Sequence, residues 1–217
     1  MPINLGENPL ILIFLTLLET LLILIPSLIA SKIEKKSFRN ILNDIGFKPL
    51  ENHFKDVVRE IVYGIIIGAL LFIVGGFILL FFRDIIVRNL FGTKFTQQGM
   101  EGSINTELTQ PNLLYLIIFI ILQIIIVGPC EEGFFRGFIF KKLNNQLKLV
   151  LALIISSSLF ALYHTPPIIV PLTTIITYFG YFFTFGCFLV LIFNWFKMSL
   201  IPCSVAHSIF NILILII

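Results

Sequence analysis

Residues 113–140 read LLYLIIFIILQIIIVGPCEEGFFRGFIF. A bilayer-crossing helix needs about 20 mostly apolar residues, and this run exceeds that. It nevertheless carries Glu131, Glu132 and Arg136 within six residues. One Asp, Lys or Arg at the centre of a membrane helix costs about 2.5–3.5 kcal/mol to insert. Charges so placed are rare and functional by default.

Outward from this run the chain is of the same kind. Its 217 residues are 58% apolar and 12% charged, with a net charge of +3. A soluble domain carries about 25% charged residues. The composition excludes a disordered protein, a basic domain coating nucleic acid and an ordinary water-soluble enzyme, and it makes the bilayer the first partner. Further apolar runs cover 10–30, 61–82, 149–163, 172–193 and 200–217. An open sheet leaves its edges unsatisfied in lipid. The expectation is therefore an all-α, polytopic integral membrane helix bundle of about six transmembrane helices with short connections. The first run has no basic n-region and is too long for a cleavable signal. Cys130, Cys187 and Cys203 have no short spacing and read as small buried hydrophobes.

Eleven Lys and Arg residues fall in the connections after the first, third and fifth spans, and Arg83, Arg88 and Lys94 in the others. The positive-inside rule puts the basic loops in the cytoplasm and both termini outside, in the cell membrane. Residues 31–60 mix charge with apolar side chains, so part of them is expected along the cytoplasmic interface, His53 included. Residues 83–112 read as a polar outer loop. The division is then an N-terminal membrane region, 1–112, with two spans, and a core of four spans, 113–217, in one integrated domain.

At about 100° per residue, Glu132 and Arg136 share a helix face and can pair, while Glu131 points elsewhere. Phe160 with His164, and His207 with Asn211, are i,i+4 pairs on later spans. Pro129 cannot donate to the Ile125 carbonyl, so a kink is expected there. Gly133 with Gly137, and Gly64 with Gly68, are small-xxx-small steps that admit a neighbouring helix. Helix lengths raise one conflict. Glu131 and His207 lie about 12–14 Å from the cytoplasmic ends of their spans, but His164 about 22 Å from the start of its own. A shared site requires the fourth span to tilt or to start deeper.

Glu131-Glu132-Gly-Phe-Phe-Arg136, Phe160-Ala-Leu-Tyr-His164 and His207-Ser-Ile-Phe-Asn211 fit EExxxR, FxxxH and HxxxN in that order. Over 113–211 the sequence resembles the CPBP family of intramembrane proteases (the CAAX protease and bacteriocin-processing, or Abi, group), which includes the Ras-converting type of CAAX prenyl endopeptidase. The resemblance implies hydrolysis of a peptide bond in a membrane-associated peptide or lipidated protein. It points to Glu131, Glu132, Arg136, His164, His207 and Asn211 as site residues. Hydrolysis needs a base for water, stabilisation of the oxyanion and a proton for the leaving amine. Glu131 with His164 suits the first, and His207 with Asn211 the second. Glu131, His164 and His207 are equally a two-His, one-carboxylate zinc set with an open position. The metal-free glutamate route is preferred, and zinc stays open. Cys130 as nucleophile is disfavoured by the adjacent carboxylate. A transporter would use the same Glu and His residues as a proton relay, and a scaffold or bacteriocin-immunity protein would need no chemistry from them. Glu19, within the first span, has no assigned role.

Overall fold

The computed structural model describes residues 3–47, 54–106 and 112–217. His53 and Lys48 lie outside the described residues. Asn8 accepts from the Leu10 and Ile11 N–H groups and, with Pro9, starts α1 (Pro9–Leu18). After a turn at Glu19 and Thr20 the chain continues as α2 (Leu21–Glu34). The expected first span thus runs over Pro9–Glu34, with a tightened turn at its middle. Thr16 and Thr20 turn their hydroxyls back onto the Leu12 and Leu17 carbonyls, 2.9 and 2.8 Å away, and Pro26 has no N–H for Leu22. Both features loosen the α-helical ladder, and it tightens locally to i,i+3 bonds.

Ser37 caps α3 (Phe38–Ile45), and Gly46 closes it at φ 116°, a value that favours glycine. This helix is strongly amphipathic, and Ile41 and Ile45 are buried against the bundle. A polar cluster ties it down. Lys36 bridges Glu34 and Asp44 at 3.3 and 2.7 Å, Lys142 pairs with Glu34, and Lys141 donates to the Asp44 carbonyl. Asp44, followed by Glu34, holds the exposed Lys36 ammonium above its usual range.

The second long helix, α4, runs Phe54–Phe91 and widens into π turns over Leu80–Val87. The region read as an outer loop is instead largely helical. It holds the end of α4 and α5 (Thr93–Glu101), which lies on a later span, where Thr174 donates to the Gly99 carbonyl at 2.8 Å. A short parallel bridge between β1 (Ile3–Asn4) and β2 (Ile104–Asn105) adds to this end of the bundle. These elements were not visible as hydrophobic runs, because the segments are too short or too polar to register.

The remaining helices are α6 (Leu113–Asn144), α7 (Leu149–His164), α8 (Leu172–Trp195) and α9 (Leu200–Ile216). Among the described residues four helical rods are long and apolar enough to cross a membrane, and α7 and α9 are shorter apolar helices. The protein is an all-α polytopic membrane bundle. Most of each long span is covered with exposed Leu, Ile and Phe, as a lipid-facing surface requires. The packed interior is aromatic and small. Phe135, Phe140, Phe160, Phe185, Phe193, Ala206 and Phe210 lie between α6, α7, α8 and α9.

α9 lies along α4 at the two glycines. A Cβ on Gly68 would fall 2.6 Å from the Ala206 carbonyl oxygen, and one on Gly64 2.7 Å from Val205 Cβ. On α6, Gly133 is covered by Ile23 and Phe47, and Gly137 by the backbone of Ile45. The length conflict is resolved by α6, which runs on to Asn144 rather than ending near Phe140. Glu131 is then about 20 Å from that end, close to the about 22 Å of His164 from Leu149. α9 begins deeper, since Gly46 of α3 packs over its first residue, Leu200.

These contacts set a contrast between two glycines of one helix. Gly68→Val overpacks the α4–α9 contact and costs about 1–3 kcal/mol. Gly76 has open space around it, so Gly76→Ala is neutral or stabilising by up to about 1 kcal/mol. Thermal unfolding of the two variants in detergent checks the difference.

Candidate active site

The glutamates sit on a helix whose turns are not uniform. α6 is π-helical over Gln123–Val127 and again over Gly133–Phe140, with an α turn, Gly128–Glu132, between them. The widening flanks Pro129 on both sides, where the sequence leads one to expect an irregular helix. The Gly128 N–H reaches back five residues to the Gln123 carbonyl, so the segment before the proline is bonded without a break. π turns of this type recur at functional sites.

Glu132 and Arg136 are completely buried and paired at 2.9 Å. Glu132 Oε1 also accepts from His207 Nδ1 at 2.8 Å. Arg136 donates its other terminal nitrogen to the Gly186 carbonyl at 3.3 Å, and its guanidinium lies 4.4 Å from the centre of the Phe160 ring. That stacking is a cation–π contact. It gives the phenylalanine of the FxxxH motif a physical role, as a shelf between Arg136 and the His164 ring, whose centre is 4.3 Å away.

Glu131 is turned away from Glu132 and is also buried. Its Oε2 lies 3.7 Å from His164 Nε2 and 3.9 Å from His207 Nε2. Both separations are too long for direct hydrogen bonds, and among the described residues Oε2 has no hydrogen-bond partner. His164 Nδ1 is 3.0 Å from the Phe160 carbonyl, which can only accept, so Nδ1 carries the proton there. His207 Nδ1 faces the Arg-paired carboxylate of Glu132 and donates likewise. In the neutral rings both Nε2 atoms then present lone pairs to Glu131. Three acceptors converge with no donor between them.

Asn211 is placed differently from the other five predicted residues. Its Nδ2 donates to Gln123 Oε1 at 2.9 Å, one turn beyond His207. Gln123 also accepts the Ser208 hydroxyl on its carbonyl at 2.7 Å. It thereby positions α9 against α6. The sequence reading passed over Gln123, although an amide inside a run of Ile and Leu was a signal of the same kind as the glutamates.

The three converging atoms lie within 4.8 Å of one another, and their chemistry fits a metal ion. Both imidazoles have Nδ1 anchored and Nε2 free, the usual arrangement around a bound zinc. Ligand atoms on tetrahedral zinc at about 2.1 Å stand about 3.4 Å apart, so small side-chain movements suffice.

The geometry defines a class, a helical membrane bundle with carboxylates and imidazoles gathered at its centre. Residues 113–213 match the family described as Type II CAAX prenyl endopeptidase Rce1-like, and this part of the chain is similar to that family. Comparison with curated proteins and with solved structures found no match.

Removing one member of the buried pair isolates a charge. Arg136→Met leaves Glu132 with His207 alone and costs about 3–5 kcal/mol, whereas adding Glu132→Gln to it recovers part of that loss. Unfolding of the two single variants and the double variant in detergent measures the coupling.

Proposed function

We propose that the chain is an intramembrane endopeptidase that hydrolyses a peptide bond of a membrane-associated substrate with a water held by Glu131, His164 and His207. The observation that carries this reading is the convergence of three lone pairs on one point inside the bundle. A water supplies two hydrogens, and one further proton supplies the third. That proton also balances the site, where Glu131 and Glu132 face the single cation of Arg136. A buried site of this polarity needs such neutralisation.

The steps follow from the atoms present. Glu131 takes a proton from the water as its oxygen attacks the scissile carbonyl carbon. The developing oxyanion is met by the proton shared between the imidazoles and by Asn211 Nδ2, which has a second hydrogen beyond the one given to Gln123. Glu131 then returns its proton to the nitrogen of the leaving amine as the C–N bond breaks. Each is a differential interaction with developing charge. Glu132 and Arg136 act as positioning residues, holding His207 and the helix that carries Glu131. If zinc is bound, Glu131, His164 and His207 hold it, and it supplies a polarised water and carbonyl activation.

In this reading residues 113–217 are the catalytic core and 1–112 buttress it. The basic loops place the α3 end of the bundle in the cytoplasm, and the protein resides in the cell membrane. A CAAX-type lipidated C-terminus or a bacteriocin-like precursor are the substrate classes considered.

Comparing protein termini in membranes with and without the intact chain identifies cleaved substrates. On such a substrate Glu131→Gln and His164→Ala each lower kcat at least about 100-fold while the bundle still folds. Activity that persists through exhaustive chelation supports the shared-proton site. Activity lost on chelation and restored by zinc overturns it.

A further inference from the structure

Glu19 is a charge at the middle of the first span, apart from the cluster on α6. Its backbone is fully used at the α1–α2 turn, with its N–H on the Thr16 carbonyl and its own carbonyl accepting from Leu22. Its carboxylate does no capping. Among the described residues it has no hydrogen bond or ion pair, and Oε2 is buried. The side chain lines an open groove of about 390 Å³ between α1–α2 and α6–α7, whose walls include Leu15, Leu22, Ile25, Phe134 and Tyr163. Phe134 is three residues from Glu131, and Tyr163 adjoins His164. The Glu19 carboxylate is close enough to act electrostatically on Glu131, Cys130 and Tyr163.

The walls suit apolar side chains, but a purely hydrocarbon occupant would cover the Glu19 oxygens with nothing to bond them. That is a costly arrangement. The charge of the surroundings adds to this. Arg136 is already committed to Glu132 and Gly186, so no cation of the cluster is available to Glu19. A basic side chain on the occupant supplies the partner that the described residues do not.

We propose that this groove is the lateral opening through which substrate reaches Glu131, and that Glu19 is a specificity-determining residue that binds a lysine or arginine of the substrate beside the scissile bond. The occupant is an extended, otherwise apolar peptide segment with one basic side chain. The inference rests on the endopeptidase reading for the word substrate, but the binding it describes does not depend on catalysis.

The test uses the full chain in nanodiscs of neutral lipid. Fluorescent apolar peptides differing only at one central residue (lysine, norleucine or glutamate) are titrated by anisotropy. Glu131→Gln is present throughout, so that affinity alone is read. The lysine peptide binds about tenfold more tightly than the norleucine peptide, as expected for a charge-assisted hydrogen bond. Glu19→Gln brings that ratio to about one, and Glu19→Lys reverses the preference towards the glutamate peptide. A general loss of packing would weaken all three peptides alike and would not reverse their order. Equal affinity for the lysine and norleucine peptides with Glu19 intact overturns the proposal, as does a lysine preference that survives Glu19→Gln. Cleavage of the same peptides by the chain with Glu131 intact is followed in parallel. Lysine-selective binding without cleavage upholds the role of Glu19 and counts against proteolysis alone.

Discussion

Glu132 Oε1 accepts hydrogen bonds from two helices at once, from Arg136 on α6 and His207 on α9. Arg136 extends the connection to the Gly186 carbonyl on α8 and to the Phe160 ring on α7. One oxygen atom therefore anchors all four helices of the C-terminal half. In lipid there is no water to satisfy a stray carboxylate, so the groups around it are fixed in number and direction. Everything else in the centre follows from that. With Nδ1 of His207 held by Glu132, Nε2 must point at Glu131. With Nδ1 of His164 on the Phe160 carbonyl, the second ring is oriented in the same way. The reactive geometry is a by-product of satisfying the buried ion pair.

The N-terminal half does a different job. α4 backs α9 along Gly64 and Gly68, and α3 covers Gly137 and the start of α9. α2 reaches the glutamate helix through Ile23, which lies over Gly133. These contacts hold α9, which lacks the length of the long spans. The exposed ion cluster at α3 contributes little energy by itself, as surface pairs do. Its value is in fixing where α3 sits.

Much of this was legible in the residues. The i,i+4 spacing of Glu132 and Arg136 gave their pairing, and the one-residue offset of Glu131 gave its separate direction. The six apolar helices were readable because lipid permits few alternatives. Tertiary relations were not readable. Nothing in the spacing pairs Asn211 with Gln123, since that depends on how α9 is set against α6. The tightened turn at Glu19 was hidden because Thr16, Thr20 and Pro26 each look tolerable alone in a helix. α5 was hidden because a short polar helix has the composition of a loop. His164 looked too deep because the end of α6 was placed at the last apolar residue, whereas the helix continues through Lys141 and Lys142.

The two wide turns in α6 have a consequence for how the sequence can change. A π turn accommodates one residue more than an α turn, so it acts as a phase shifter between the lipid-facing first half of the helix and the inward-facing glutamates. Were 123–127 to relax to ordinary α geometry with its length unchanged, everything beyond it would rotate by about 100°. Glu131 would leave the histidines, and Glu132 would leave Arg136's other partners, with no catalytic residue altered. The wide turn is therefore under the same constraint as the identity of the glutamates, even though Ile124, Ile125 and Ile126 look like interchangeable hydrocarbon.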